Sequence, residues 1–325
     1  MSIVQLSDWR EPRPATGIGL PPPPGSVPDP APVEPIPEPL AVGRSRSRDR
    51  LVLVTRGILM VLSALTLGFV IYVVWASRLE HQVTQSREFT QLRDELANGT
   101  APRGPSDEHG QLLPLGTPIA LLEIRSIGLK EVVDEGTTGS VLMAGPGHLR
   151  STVFPGGVGT CVIYGRDASF GGPFSAIHSL VRGSRISVTT QVGTSTFRVV
   201  DVRKAGALVP SLAPGAARLT LVTATGGAFF PTGVIYVDAN MVGPPFAARA
   251  PLRSVTASER AMAIDTGGYR GVALALEWLM LVLAAATWAW SRRGHAQAWI
   301  VFSAPVALAA LYFVDQAGRL LPNLM

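Results

Sequence analysis

Hydrophobic positions in this chain form three long unbroken runs, with a region of short alternating runs between the first and second. The long runs are residues 57–75 ("GILMVLSALTLGFVIYVVW"), 271–290 ("GVALALEWLMLVLAAATWAW") and 298–314 ("AWIVFSAPVALAALYFV"). About 20 apolar residues, rising about 1.5 Å each as a helix, cross the hydrocarbon core of a bilayer. The pattern therefore predicts about three transmembrane helices. The third run is shorter and Pro305 interrupts it, so the last two runs could instead form one re-entrant hairpin. Residues 112–245 read differently. "PIALLEI", "TCVIYG", "RISVTTQ", "STFRVVDV", "RLTLVTA" and "GVIYVDANM" are short, β-branched and bounded by Gly and Pro. Six or more such strands in one region predict a closed β-barrel or a sandwich.

The remaining segments are polar. Residues 78–98 ("RLEHQVTQSREFTQLRDELAN") read as a polar helix or stalk, and a linker follows to residue 111. The first 50 residues are rich in proline, which fixes φ and removes donors, and carry few large apolar side chains. They read as a disordered tail with polyproline II character.

Charge orients the spans. Charged residues make up only 16% of the chain, as expected of a membrane protein. Arg44, Arg46, Arg48, Arg50 and Arg56 cluster just before the first run, and Arg292 and Arg293 lie between the last two. The positive-inside rule places both clusters in the cytoplasm and the β region outside the cell. Beside an apolar run the arginine cluster is a topology signal, and no nucleic-acid partner is implied. The single cysteine, Cys161, excludes an intramolecular disulfide and any multi-cysteine metal site. The five histidines show no metal-ligand spacing, and no cofactor is implied.

Three stretches of the β region carry a family likeness: "PIALLEIRSIGLKEVVDEGT", "GPGHLRSTVFPGGVGTCVIYGRDASFGGPFSAIHSLVRGSRISV" and "LTLVTA". In order and spacing they resemble the sortases, cysteine transpeptidases of Gram-positive cell surfaces, and most of all the class E-like group from actinobacteria. The resemblance implies a closed β-barrel. It also implies a site in which a cysteine attacks a sorting signal, a histidine moves the proton and an arginine stabilises the oxyanion.

This chain departs from that set at all three places. Arg166 stands at the histidine position, Ala224 at the cysteine position, and Gly233 or its neighbour Thr232 at the arginine position. An alanine methyl cannot attack a carbonyl, and a guanidinium protonated at neutral pH cannot act as a base. An engineered Cys→Ala exchange would have left the other two residues in place, so the joint change points to natural loss. Thr223 and Thr225 point to the face opposite residue 224 and do not replace it. Arg166 is expected either to hold an acidic group or to lie on the surface beside Asp167. His148 matches a family position that is not the catalytic one, and is expected to order a loop or touch a ligand. Cys161 and His178 read as structural.

One ionisable residue lies inside a span. Glu277 falls about 10 Å into the second helix at ~1.5 Å per residue, and is expected to face the third helix and approach Arg319. The leading functional expectation is a membrane-anchored, inactive sortase-like protein. It would bind a surface-protein sorting peptide or partner an active sortase or other envelope machinery. The alternatives are a transpeptidase or hydrolase with a displaced nucleophile, and a structural envelope protein without ligand.

Overall fold

A computed structural model describes residues 46–325 except 108, 228–229, 248, 265–267 and 294. The Pro-rich stretch lies outside the described residues. The chain divides into two units, Met1–Val54 and Thr55–Met325. Of the first, only the start of a helix is described; the second holds everything discussed below.

Helix α1 (Arg46–Ile71) runs through a π-turn at Tyr72–Ala76 into α2 (Ser77–Asn98). Gly99, at φ +75°, ends α2 in the left-handed conformation that glycine adopts without strain. The segment read as a stalk does not stand clear of the β region. Leu92 of α2 is buried with Ala101 and Val132, and Phe89 and Leu96 pack beside them. The Gln85 side chain accepts from the Val132 amide at 2.7 Å and donates to the carbonyls of Val132 and Ala144.

The β region is a closed barrel of eight strands: β1 (Pro118–Ile124), β2 (Leu129–Glu135), β3 (Gly147–His148), β4 (Gly159–Tyr164), β5 (Arg185–Thr190), β6 (Gly193–Lys204), β7 (Ala217–Gly227) and β8 (Phe230–Val242). Their order around the barrel is β1-β2-β3-β4-β7-β8-β6-β5, and β1 pairs antiparallel with β5 to close it. Each of the six quoted runs falls on a strand. The core follows the pleat: Ser195, Phe197 and Val199 of β6 are buried while Thr196 and Arg198 between them are not. Their apolar partners include Ile119, Leu122, Ile163, Ile186, Leu219 and Val237. Only β4 and β7, and β2 and β3, pair in parallel. β7 is buried at every position from Ala217 to Ala224, as a strand covered on both faces must be.

Helices α4 (Tyr269–Arg293) and α5 (His295–Gly318) follow the barrel; the short α3 (Gly139–Ala144) lies between β2 and β3. Two stretches, Tyr269–Ala289 and Val301–Gly318, are long and apolar enough to cross a membrane, and only 22% of each is buried. A core helix of a soluble protein would be mostly buried. The helical stretch Thr55–Ile71 is apolar but shorter. Pro305 lies inside α5 without ending it.

Candidate functional site

Parallel pairing of β4 with β7 sets the site. Tyr164 lies opposite Val222, so Arg166 and Ala224 emerge at the same level on neighbouring strands. The Gly165 amide donates to the Val222 carbonyl at 3.0 Å, and the Thr223 hydroxyl donates to the Gly165 carbonyl at 2.8 Å. A side chain at Gly165 would meet the Phe174 ring at 2.5 Å, so a bulkier residue does not fit there. Gly233 lies opposite Thr225 on β8, beside the pair Ala224–Val234. Positions 166, 224 and 233 thus share one end of the barrel.

Arg166 is not a surface residue. It is 0% exposed. Its Nε donates to the Leu142 carbonyl at 3.1 Å and Nη2 to Gly139 at 3.2 Å. Nη1 reaches Ser169 Oγ at 3.0 Å and the carbonyls of Pro322 and Met325 at 3.4 and 3.5 Å. The acceptors on Leu142, Gly139, Ser169 and Pro322 are neutral oxygens, and the Phe170 ring lies 5.0 Å away. Burial pushes the guanidinium pKa down to about 9, which leaves it charged at neutral pH.

The residues opposite Arg166 come from the far end of the chain. Leu324 is buried with Ala224, Leu142, Tyr164, Val222 and Val234, and its carbonyl accepts from the Asp167 amide at 3.0 Å. Asn323 is also fully buried. Its side-chain amide donates to the carbonyls of Thr137, Ser258 and Arg260 at 3.1, 2.7 and 2.9 Å. Ser169 Oγ donates to the Met325 carbonyl. Residues 322–325 therefore cross the barrel end where the family's chemistry would sit.

An open cavity of about 540 Å³ adjoins this segment, with Ala224, Thr225, Asp167, His178 and Arg78 on its walls. Burial raises the Asp167 carboxyl above its ordinary value, opposed by the charge of His178. His178 lies in the turn Ile177–Ser179 and is exposed on the cavity wall. Arg78 was legible only as a residue after the first span. Nothing in the local sequence ties it to a barrel end some 145 residues away in the chain (positions 78 and 224).

His148 does not face the groove. It is fully buried, with Nδ1 2.8 Å from Glu135 Oε2 and Nε2 3.1 Å from the Val153 carbonyl. Burial alone would lower its pKa, but hydrogen bonds with Cys161 and Glu135 outweigh that and push it up to about 10. Of its two expected roles, the geometry fits loop ordering: it holds the backbone at Val153. Cys161 is buried beside it in the barrel core.

The expected approach of Glu277 to Arg319 is corrected as well. Glu277 lies on an exposed face of α4, and Arg319 pairs with Asp315 one helical turn away, at 3.2 Å. Residues four apart on a helix meet without any tertiary arrangement. Asp315 also accepts from the Tyr72 hydroxyl at 2.9 Å, which ties α5 to the π-turn. Among the described residues no group of three or more His, Cys, Asp or Glu could hold a metal ion.

Residues 122–235 match the family model described as the sortase domain. Among solved structures, a sortase D5 transpeptidase from Clostridium perfringens is 22% identical, covers 50% of this chain and 99% of its own, and has a TM-score of 0.41. A Clostridium perfringens sortase C solved with the C-terminal cell wall sorting motif is 19% identical over 50% of this chain and 90% of its own, TM-score 0.38. Sortase A from Corynebacterium diphtheriae is 18% identical over 52% and 94%, TM-score 0.36. No curated protein matches the chain.

Proposed function

We propose, for a chain that carries a sortase domain over residues 122–235, a non-catalytic role: a membrane-anchored sortase-like protein whose groove binds a surface-protein peptide in envelope assembly. The arginine clusters place the N-terminus in the cytoplasm and the barrel outside, with the apolar helices in the bilayer. The observation that carries this reading is the state of the site. Its nucleophile position is the methyl of Ala224, its base position is a buried arginine bonded to backbone oxygens, and a peptide segment already lies between them. Such a site binds backbone and cannot open an acyl bond.

A second reading, an enzyme with a displaced nucleophile, rests on Cys161 beside His148 and Glu135. All three are at most 1% exposed, and the cavity beside Ala224 does not include them, which leaves the thiol out of reach of a peptide held there. A structural protein without ligand is the third; the filled groove is the observation in its favour.

One experiment separates the three. The full chain in detergent micelles is incubated with a panel of sorting-signal peptides, and binding, hydrolysis and transpeptidation are read on the same samples. Binding without turnover is expected. Turnover abolished by Cys161→Ala would replace this reading with the second, and neither binding nor turnover would leave the third.

A further inference from the structure

The segment that fills the groove shows what chemistry the groove selects. It is held in two ways. Asn323 spends its side-chain amide on three backbone carbonyls from two loops, that of Thr137 and those of Ser258 and Arg260. Leu324 enters an apolar pocket made by Leu142, Tyr164, Val222, Ala224 and Val234. The rest is recognised through backbone: Arg166 and Ser169 donate to the carbonyls of Pro322 and Met325, and the Asp167 amide donates to that of Leu324. A seat that demands one primary amide and one branched apolar side chain, and reads the remainder as main chain, is a peptide site with a sequence preference.

Two further features make this seat accessible to a competitor. The open cavity shares Ala224 and Asp167 with the occupied seat, so a longer peptide has room to continue under Arg78 and His178. The segment also follows α5 directly. Gly318, at the end of α5, lies against the Phe170 and Tyr72 rings. Phe170 in turn lies under Arg166. Any movement of α5 therefore acts on the groove.

Resting on the peptide-binding reading above, we propose that residues 322–325 are a tethered ligand of the groove. Peptides carrying an asparagine followed by a branched apolar residue displace it in trans by taking the seats of Asn323 and Leu324. The groove is then closed in the resting chain, and peptide binding releases the segment attached to α5.

The test uses the full chain in detergent micelles and a fluorescein-labelled peptide, Arg-Leu-Leu-Pro-Asn-Leu-Met, with the sequence of residues 319–325. Fluorescence polarisation is measured with the unchanged chain, with Leu324→Asp, which removes the apolar anchor, and with Asn323→Ala, which removes three hydrogen bonds and keeps the leucine. Removing a competing intramolecular ligand raises apparent affinity. The peptide is expected to bind Leu324→Asp at least tenfold more tightly than the unchanged chain. Asn323→Ala should be intermediate, and a probe with its own Leu-to-Asp change (sixth position) should bind none of them. Equal affinity for all three chains would overturn the proposal, because the segment would then not compete. No binding to either variant would overturn it too. If a sorting-signal peptide still binds Leu324→Asp in that case, only the tethered ligand falls; if it does not, peptide binding falls with it. Should Leu324→Asp not fold, Asn323→Ala alone decides between a gain in affinity and none.

Discussion

The Thr223 hydroxyl donates to the Gly165 carbonyl at 2.8 Å, joining β7 to β4 one residue before the positions of Ala224 and Arg166. The bond is fully buried and fixes the level at which those two residues face each other. Thr223→Val keeps the volume but strips the carbonyl of its side-chain donor, and a buried group that loses its partner costs about 1–3 kcal/mol. Thr223→Ser should recover most of that loss. Denaturant unfolding of the two variants measures the difference; equal stability would show that the bond does not hold the strands.

Arg166 should behave as a structural residue. Arg166→Met leaves the Leu142 and Gly139 carbonyls without their donor inside the protein. The expected loss is about 3 kcal/mol or more, since hydrogen bonds from charged groups contribute roughly 1.5–3 kcal/mol each. Arg166→His, which restores the family's residue type, has two donors in place of five and should also be destabilised. A thermal melt on each variant checks this. An Arg166→Met chain as stable as the parent would contradict the assignment.

Position 224 offers a chemical probe. Ala224→Cys places a thiol where the family has its nucleophile, yet without a base it should give no turnover of sorting-signal peptides. Leu324 covers the position. Alkylation of the new thiol by iodoacetamide should therefore be slow, and at least tenfold faster in Ala224→Cys/Leu324→Asp. Cys161, buried in both, supplies the background. The same alkylation rate with and without Leu324 would mean that the leucine does not shield the site.

His148 makes stability depend on pH. Its folded pKa is pushed up to about 10 from 6.5, so the folded state holds the proton more tightly than the unfolded one. The stabilisation is complete below about pH 6.5 and is lost as pH rises through about 10. Melting temperatures should fall across that window, and His148→Gln should flatten the fall. A variant with the parent's slope would remove His148 as the cause.

A second alkaline-side effect sits under α2. Burial, with the charge of Glu88 beside it, holds Asp134 well above its ordinary pKa, and neither carboxylate oxygen finds a hydrogen-bond partner among the described residues. Burial also raises Glu88 from 4.5 to about 7, against the opposing charge of His81. A raised carboxyl stabilises the fold below its unfolded pKa and loses that contribution as pH climbs through the folded value. For Glu88 the window runs from about pH 4.5 to about pH 7. Asp134→Asn should be more stable than the parent at pH 8 and no better at pH 4. Melts at those two values settle it.

The sequence by itself determined the elements. Short β-branched runs bounded by Gly and Pro placed strands on all six quoted stretches, because such runs fit a pleated, buried surface. Long apolar runs placed α4 and α5, the second of them in spite of Pro305. The family motifs also marked positions 166, 224 and 233, since catalytic types are absent there whatever the fold does. Tertiary structure decided the surroundings. Whether Arg166 is exposed or buried depends on carbonyls from α3 and from residues 322–325, segments that no local pattern connects to it. Arg319 found Asp315 through helical spacing, which the sequence contained, but the link from Asp315 to Tyr72 needed two helices to meet. The occupied groove was least legible of all. A hydrophobic pattern reports that Leu324 will be buried somewhere, and only the closed barrel supplies the pocket beside Ala224 that buries it.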